Sequence, residues 1–324
     1  MKQSHSPAAA ACLAVHDGRA GNARQALALA RALQPQAGER ELVLQPRAPW
    51  RWWAPRRLPG AAFGLGAALR TALTQPPGLA VGCGRQAALA TRLLRRAGAR
   101  AVQILDPRQP PRHWDLLVVP EHDRLHGDNV LTVRGSLHPV DDEWLLRALQ
   151  TSPALAALPA PHTVLLVGGP SRHAALDDAG FAALLRQLAA HARAEGGSFS
   201  VIASRRTPPA WRAALGAVDA GVPGLRWRDT GDGANPYAGL LAHADRLVCT
   251  PDSVNMLSEA AATHAPLFIW QPALGRGRLR HFLDDLLNGG RARALDAALD
   301  AYPVTPLRET ARVAAQLRQR LGLA

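Results

Sequence analysis

Short apolar runs alternate with longer amphipathic stretches along nearly the whole chain. Each run is followed by a glycine or polar turn and then by an Ala/Leu/Arg stretch of helical length, which is the rhythm of βα units in a parallel sheet. In the first half, the pattern predicts helices that include 23–33 and 86–97. The strands predicted there are 11–15, 42–44, 79–81, 102–105, 116–119 and 130–131.

The rhythm restarts after a proline-rich segment, 151–161, which cannot sustain a long helix and is predicted to be a linker. A last amphipathic stretch, 306–321, is expected to pack back across the first half. The pattern therefore predicts an α/β chain with two doubly wound, Rossmann-like domains, at 1–152 and 162–303, and a C-terminal helix within 304–324. The second domain has predicted strands at 163–167, 198–202, 225–227, 247–249 and 267–269 and helices at 176–195, 208–214, 237–243, 254–263 and 279–287.

Length and composition agree with two cores and narrow the range of partners. A chain of 324 residues, 48% of them hydrophobic, suits two domains of about 150 residues each. The net charge of +13 is typical of nucleic-acid binders, but Lys2 is the only lysine and the arginines are scattered among alanines and leucines. No nucleic-acid partner is therefore expected.

Cysteine usage and apolar run lengths predict the compartment. Cys12, Cys83 and Cys249 are far apart and have no metal-ligand spacing, so neither a disulfide framework nor a zinc site is expected. The first fifteen residues lack a persuasive signal-peptide cleavage pattern, and no apolar run reaches the roughly 18 residues of a membrane span. We expect a cytoplasmic chain.

Ligands of open parallel sheets bind outside the carboxyl ends of the strands, so the turns after the strands are the informative residues. The turn after 163–167 contains two adjacent glycines, which let the backbone approach a phosphate, and is expected to lead into a helix start with free N–H groups. The turn after 198–202 contains a hydroxyl and two arginines, whose forks match phosphate oxygens. An ordinary tight turn and solvated arginines are the alternatives. The candidate residues in these turns are Gly168, Gly169, Ser171, Arg172, Ser204, Arg205 and Thr207.

The turn after 247–249 carries the strongest signal. Either Asp252 or Ser253 is suited to cap the helix that follows, whose N–H groups would face the ligand together with Asn255. Glu259, two turns further along, is placed to accept hydrogen bonds from ribose hydroxyls, although a glutamate on a helix is more often a solvated charge.

Two resemblances follow from these residues. Ser258-Glu259-Ala260-Ala261, followed by Pro266, resembles the donor-binding segment of GT-B glycosyltransferases, in which the matching glutamate holds the ribose. More closely, the chain resembles the elongated-mitochondria (mitochondrial-fission) family and its bacterial relatives. The stretches that carry this second resemblance are 17–22, 84–85, 103–108, 120–123, 168–171, 204–207 and 250–256.

The resemblances imply a GT-B-like fold, in which two Rossmann-like domains face a cleft and the first domain supplies the acceptor side and any catalytic base. Asp17 is the first candidate base, with His16 and Glu121 as alternates and a turn-capping role as the other interpretation of Asp17. Cys83 is not expected to be a nucleophile. The acceptor-side candidates are Gly18, Arg19, Gly21, Asn22, Gly84, Arg85, Asp106 and Arg108.

Residues 47–57 combine three tryptophans with four arginines. Such a segment suits the headgroup region of an anionic bilayer, and peripheral contact with the inner membrane is one interpretation. A loop whose tryptophans are partly buried in the core is the other.

Together these features predict a GT-B-like glycosyltransferase that needs no metal or cofactor, uses a nucleotide-sugar donor and acts on an envelope or lipid-linked acceptor. Two alternatives stay open: a non-catalytic nucleotide-binding or membrane-associated scaffold, and a nucleotide-sugar epimerase.

Overall fold

The structure, a computed structural model, describes residues 12–34 and 40–323. The chain divides into two compact units. The first contains the residues up to Pro139 and those from Glu309 onward, and the second is Val140–Arg308. Within the described residues no helix is long and apolar enough to span a bilayer.

The first unit is built on a sheet of six parallel strands, in the order β2-β1-β3-β4-β5-β6. All six predicted strands are confirmed, although Ala11, placed in the first of them, lies outside the described residues. The central strands are continuous apolar runs because helices cover both faces of such a sheet. The strands are β1 (Cys12–His16), β2 (Arg40–Val43), β3 (Leu79–Cys83), β4 (Arg100–Ile104), β5 (Leu116–Pro120) and β6 (Val130–Val133).

Helices connect these strands. The two predicted helices are present, and three short ones between β2 and β3 were not predicted because none of them sustains a helical period for long. The helices are α1 (Ala20–Leu33), α2 (Trp50–Trp53), α3 (Ala61–Gly64), α4 (Ala67–Thr74) and α5 (Arg85–Arg96).

The second unit contains another sheet of six parallel strands, in the order β12-β11-β10-β7-β8-β9. The five predicted strands are present. The sixth, β12, consists of two exposed residues and is too short for a hydrophobic pattern to show. The strands are β7 (His162–Val167), β8 (Ser198–Ala203), β9 (Arg226–Trp227), β10 (Arg246–Cys249), β11 (Leu267–Ile269) and β12 (Arg293–Ala294).

The helices of this unit match the five predicted stretches, with two more before the first strand. The core is apolar and contains a stacked pair, Phe181 and Trp211, with ring centroids 3.9 Å apart. The helices are α6 (Asp142–Thr151), α7 (Pro153–Ala156), α8 (Asp178–Glu195), α9 (Pro209–Gly216), α10 (Tyr237–His243), α11 (Val254–Ala261) and α12 (Arg278–Asn288).

The segment predicted as a linker, 151–161, belongs to the second unit. Helix α6 starts at an Asp141 cap, buries Leu145 and Ala148 and packs on α10. Helix α7 begins with Pro153 at its first position, which proline tolerates, so the prolines shorten this helix without preventing it.

The chain ends in α13 (Thr310–Leu321), which packs on α1 in the first unit as predicted. Its buried face repeats at helical spacing through Val313, Leu317 and Leu321. The Thr310 hydroxyl donates to the carbonyl of His138 at 2.8 Å and fixes the start of the helix.

Strand order defines one topological switch point in each sheet. In the first it lies between β1 and β3, and in the second between β7 and β10, because the connections leave these strands toward opposite edges. Ligands of open α/β sheets bind outside the carboxyl ends of strands at such points.

Candidate functional site

A buried hydrogen-bond network joins three turns at the switch point of the second sheet. The Gly168 N–H donates to Thr250 Oγ1 at 2.8 Å, and the Thr250 hydroxyl donates to Asp252 Oδ1 at 2.6 Å. Arg206 Nη2 donates to Asp252 Oδ2, also at 2.6 Å. The Asp252 side chain is fully buried while that of Arg206 is 54% exposed, so the network ends in a guanidinium that reaches solvent.

No side chain fits at either glycine after β7, because atoms of other turns lie too close to each Cα. A Cβ on Gly168 would lie 2.1 Å from Asp252 Oδ2, and a Cβ on Gly169 would lie 2.7 Å from the Arg206 carbonyl oxygen. Real Cβ atoms do not approach so closely. The pair is therefore a backbone surface that other turns contact directly.

The two hydroxyls predicted in the next turn hold the turns together. The Thr207 hydroxyl donates to the Gly168 carbonyl at 2.6 Å and accepts the Ser204 N–H at 2.9 Å. Ser204 Oγ lies 3.3 Å from the same Gly168 carbonyl. Thr207 is buried, so its geometry is that of a structural residue of the site.

The arginine at the switch point is Arg206, although only Arg205 of the two arginines in this turn was predicted as a site residue. Arg205 is exposed, and so is Arg172, whose Nε donates to His173 Nε2 at 2.9 Å. Adjacent residues in a turn point in different directions, and only Arg206 reaches the buried Asp252 carboxylate.

Helix α11 begins directly at this site. Ser253 is the N-cap, because its Oγ accepts the Met256 N–H, and Asp252 is used in the network instead. No acidic side chain lies in the first turn. The positive end of the helix is therefore free of intrahelical carboxylates.

Glu259 is buried, with 4% of its surface exposed, so the solvated-charge interpretation is wrong. It lies four residues after Asn255 and thus on the same side of α11. The predicted roles of both residues stay predictions.

The helix that follows Gly168 and Gly169 starts close to its predicted position at 176, but a carboxylate caps its start, which is therefore not the free phosphate site that was expected. Helix α8 begins only at Asp178, and the Asp177 carboxylate caps it by accepting the Gly180 N–H at 2.7 Å. Ser171 instead lies in a short loop in which its N–H donates to the Ala174 carbonyl at 2.9 Å. At this switch point the helix start belongs to α11, whose first residues are partly buried.

A further basic loop, which sequence analysis missed, follows β11. Its Gly275-Arg276-Gly277-Arg278 stretch leads into α12, with Gly277 as the N-cap at φ +59°. The Arg276 N–H donates to the His173 carbonyl at 2.9 Å, which joins this loop to the loop after β7. Alternating glycine and arginine a few residues after the predicted strand 267–269 is the signal that would have found it.

In the first unit, Asp17 lies at the switch point, directly after β1. Its Oδ1 accepts from Asn22 Nδ2 at 2.9 Å and from the Arg19 N–H at 3.2 Å. A Cβ on Gly84, which follows the neighbouring strand β3, would lie 2.4 Å from Asn22 Nδ2. Asp17, Asn22 and Gly84 are thus brought together as a single cluster.

The two alternate bases are placed differently from Asp17. His16 is buried, its Nδ1 accepts the Gly18 N–H at 3.1 Å, and Nε2 lies 2.6 Å from Glu41 Oε1, so both ring nitrogens are engaged. Glu121 is exposed at the end of β5, three strands and roughly 14 Å from β1 at the usual strand spacing. The catalytic roles of Asp17, His16 and Glu121 stay predictions.

Cys83 is buried, and burial together with the nearby Asp17 charge raises the pKa of its thiol well above its ordinary value. Its Sγ lies 3.7 Å from Asn22 Oδ1. A thiol kept protonated in this way is a poor nucleophile.

The remaining acceptor-side residues are spread over the same edge of the first sheet. Gly18, with φ +77°, and Arg19 are exposed, and the carbonyl of Gly21 accepts from Gln25 Nε2 at 3.3 Å. Arg85 is the exposed first residue of α5, while Asp106 and Arg108 follow β4 and pair through Arg108 Nε and Asp106 Oδ2 at 2.9 Å.

Residues 47–57 fit neither interpretation completely. Trp50 packs on the core, and its Nε1 donates to the Pro59 carbonyl at 2.9 Å. Trp52 and Trp53 are 67% and 50% exposed. The segment therefore anchors itself by one ring and presents two others to solvent.

Across the described residues there is no group of three or more His, Cys, Asp or Glu side chains placed to hold a metal ion.

Comparisons with solved structures show the fold class. Os79 from O. sativa in complex with UDP superimposes with a TM-score of 0.51 at 14% identity, over 96% of this chain and 91% of that one. The S. aureus MnaA-UDP structure gives a TM-score of 0.50 at 10% identity, over 97% of both chains. The α/β, GT-B-like fold predicted from the sequence is confirmed.

Sequence comparison identifies the family. The mitochondrial fission protein ELM1 of Arabidopsis thaliana is 27% identical over 288 residues, covering 76% of this chain, and the chain spans 64% of the length of that protein. The family model described as mitochondrial fission ELM1 matches residues 20–321. The chain therefore belongs to the mitochondrial fission ELM1 family.

Proposed function

We propose that this protein is a GT-B-like glycosyltransferase that binds a nucleoside diphosphate-sugar at the switch point of its second sheet. The observation that carries the proposal is the buried network of Gly168, Thr250, Asp252 and Arg206, which joins three strand-end turns beside the start of α11.

The diphosphate would lie against this network. Arg206 offers guanidinium N–H groups beyond the one that it donates to Asp252, and its side chain reaches solvent. The start of α11 adds the partial positive charge of a helix N-terminus. Gly168 and Gly169 leave room for the Asp252 carboxylate and the Arg206 carbonyl, and so allow the turn that carries this arginine to lie at the site.

Glu259 would hold the ribose. A carboxylate that is kept in a buried position on the helix beside the phosphates is suited to accept hydrogen bonds from paired hydroxyls. Both Os79 and MnaA are described with UDP, so UDP is the first nucleotide to test.

The first unit would supply the acceptor site and the base. Asp17 takes the proton of the acceptor hydroxyl while the acceptor oxygen bonds to the anomeric carbon. The bond between that carbon and the phosphate oxygen breaks, and the nucleoside diphosphate leaves with the charge stabilised by Arg206 and α11. This sequence of steps requires no metal.

A thermal-shift screen of the full chain with UDP, other nucleoside diphosphates and their sugars tests the donor site. A ligand present at about 100 times its dissociation constant adds roughly 2.7 kcal/mol to the free energy of unfolding. The Glu259→Gln variant should bind the active nucleotide at least about tenfold more weakly, because a hydrogen bond to a buried charge is lost. Glu143→Gln, an exposed glutamate on α6, is the matched control.

Three outcomes separate the candidate functions. Release of nucleoside diphosphate that depends on an acceptor supports the transferase. Isomerisation of the sugar without an acceptor would identify an epimerase instead. The absence of a thermal shift with every nucleotide and nucleotide-sugar would contradict the donor site and favour the scaffold.

A further inference from the structure

A cavity of about 360 Å³ opens in the first unit, next to the Asp17 cluster, because Gly84 of that cluster directly precedes Arg85 in the cavity wall. The two tryptophans exposed by residues 47–57 line it, together with the start of α5 and the turn after β4. The charged and aromatic lining residues are Trp52, Trp53, Arg56, Arg85, Asp106 and Arg108.

The cavity is positively charged. Its lining contains three arginines and one aspartate, a formal charge of +2. Asp106 is already engaged: its Oδ1 accepts the Arg108 N–H at 2.7 Å, and its Oδ2 accepts from Arg108 Nε at 2.9 Å. The two terminal nitrogens of Arg108, which is 67% exposed, remain available for an anion from outside.

The start of α5 adds to this charge. Arg85 is the first residue of this 12-residue helix, Gly84 is its N-cap, no side chain caps it and no acidic residue lies in its first turn. Gln86 Nε2 donates to the Arg51 carbonyl at 3.3 Å and holds the Trp-Arg segment against the helix. A helix start without a carboxylate, beside arginine forks, is a favourable place for a phosphate.

The opposite wall is apolar and exposed. Trp52 and Trp53, at 67% and 50% exposure, are large rings that cost free energy when left in water. Tryptophan is enriched at sites where one end of its side chain contacts an apolar surface and the other end contacts water. The cavity therefore combines an anion site with an apolar rim.

We propose that this cavity binds the terminal phosphate of an amphiphilic phosphate ester, with the apolar part of the ligand against Trp52 and Trp53. This proposal names the class of acceptor, and in that respect it rests on the proposed glycosyltransferase function. A phosphate monoester carries a charge of about −1.5 to −2 at neutral pH, which matches the cavity better than a single carboxylate or a phosphodiester.

Co-sedimentation of the full chain with vesicles tests the assignment. Phosphatidylcholine vesicles doped with phosphatidic acid present a monoester, and vesicles doped with phosphatidylglycerol present a diester. We expect tighter binding to the phosphatidic acid vesicles, and a loss of about tenfold in Arg85→Gln and in Arg108→Gln. Arg100→Gln, at the opposite end of β4 from Arg108, is the control and should bind like the wild type.

The part of inorganic pyrophosphate binding that is lost in Arg85→Gln and Arg108→Gln, measured by calorimetry, belongs to this cavity and separates the phosphate from the apolar part of the ligand. Trp52→Ala and Trp53→Ala should weaken vesicle binding and leave pyrophosphate binding unchanged. Pyrophosphate binding as tight as vesicle binding, with no effect of either tryptophan, would overturn the amphiphile in favour of a soluble phosphate.

Equal binding to both vesicle types, undiminished in the Arg85 and Arg108 variants, would overturn the site itself. No nucleotide is present in these measurements, so their failure leaves the nucleotide thermal shift of the second unit unaffected. Conversely, a failed nucleotide screen leaves this cavity to be judged by vesicle binding alone.

Discussion

The carboxylate of Asp252 lies against the Cα of Gly168, although the two residues follow different strands, β10 and β7. A Cβ built on Gly168 would be 2.1 Å from Oδ2 and 2.2 Å from Oδ1 of Asp252. The Asp252 carboxylate therefore fills the space that any side chain at position 168 would need.

Gly168→Ala should accordingly destabilise the protein by about 1–3 kcal/mol, because either Asp252 or the β7 turn must move. It should also abolish the nucleotide thermal shift. Gly216→Ala is the control, since its Cβ would meet its nearest atom at 3.9 Å at the end of a helix. Equal unfolding midpoints for the two variants in urea would contradict the close contact.

Arg206→Gln should cost more stability than Asp252→Asn. The Asp252 carboxylate is fully buried, so the loss of Arg206 leaves a buried charge without its ionic partner, at a cost of about 3 kcal/mol. Asp252→Asn removes that charge, and the half-exposed Arg206 regains water, so only poorly paired polar groups remain, at a cost of about 1–3 kcal/mol. The reverse order in chemical denaturation would show that Arg206 does not stabilise the buried carboxylate.

Asp17→Asn should reduce sugar transfer by roughly 10²–10⁴-fold, which is the usual contribution of a general base. The side chain keeps its shape, so the nucleotide thermal shift should be unchanged. Asp128→Asn, an exposed aspartate in the same unit, serves as the comparison. Transfer at the wild-type rate in Asp17→Asn would leave this residue with a turn-capping role.

Stability of the second unit should fall at mildly acidic pH because of His162. This residue is buried at the start of β7, with Nε2 2.8 Å from Ser200 Oγ, and burial lowers the pKa of its imidazole below the ordinary value. Between that lowered pKa and about 6.5, the unfolded chain binds more protons than the folded one. The stability that neutral His162 contributes to the second unit is therefore fully present above about pH 6.5 and is lost as the pH falls toward the lowered pKa.

Urea unfolding measured from neutral to mildly acidic pH checks this expectation. His162→Gln removes the titrating ring and retains a group able to hydrogen-bond to Ser200, so its pH profile should be flatter than that of the wild type. Identical slopes for the two proteins would exclude His162 as the source of the acid sensitivity.

Hydrophobic periodicity alone predicts the two sheets and the turns that contain the candidate site. Continuous apolar runs such as 79–81 and 247–249 are strands because both faces of a parallel sheet are covered by helices. Local periodicity likewise placed α13 and the turns that contain Gly168 and Asp252. The missed elements, such as β12, are too short to show a period.

Which side chains of those turns contact one another depends on the folded arrangement of distant segments. A local sequence pattern does not distinguish neighbouring residues in a turn. It therefore could not favour Arg206 over Arg205, or Ser253 over Asp252 as the cap. The choice depends on contacts between residues 46 and 82 positions apart, Arg206 with Asp252 and Gly168 with Thr250. Hydrophobic periodicity determines which segments are buried, whereas the direction of a polar side chain is decided by the partner that the completed fold brings to it.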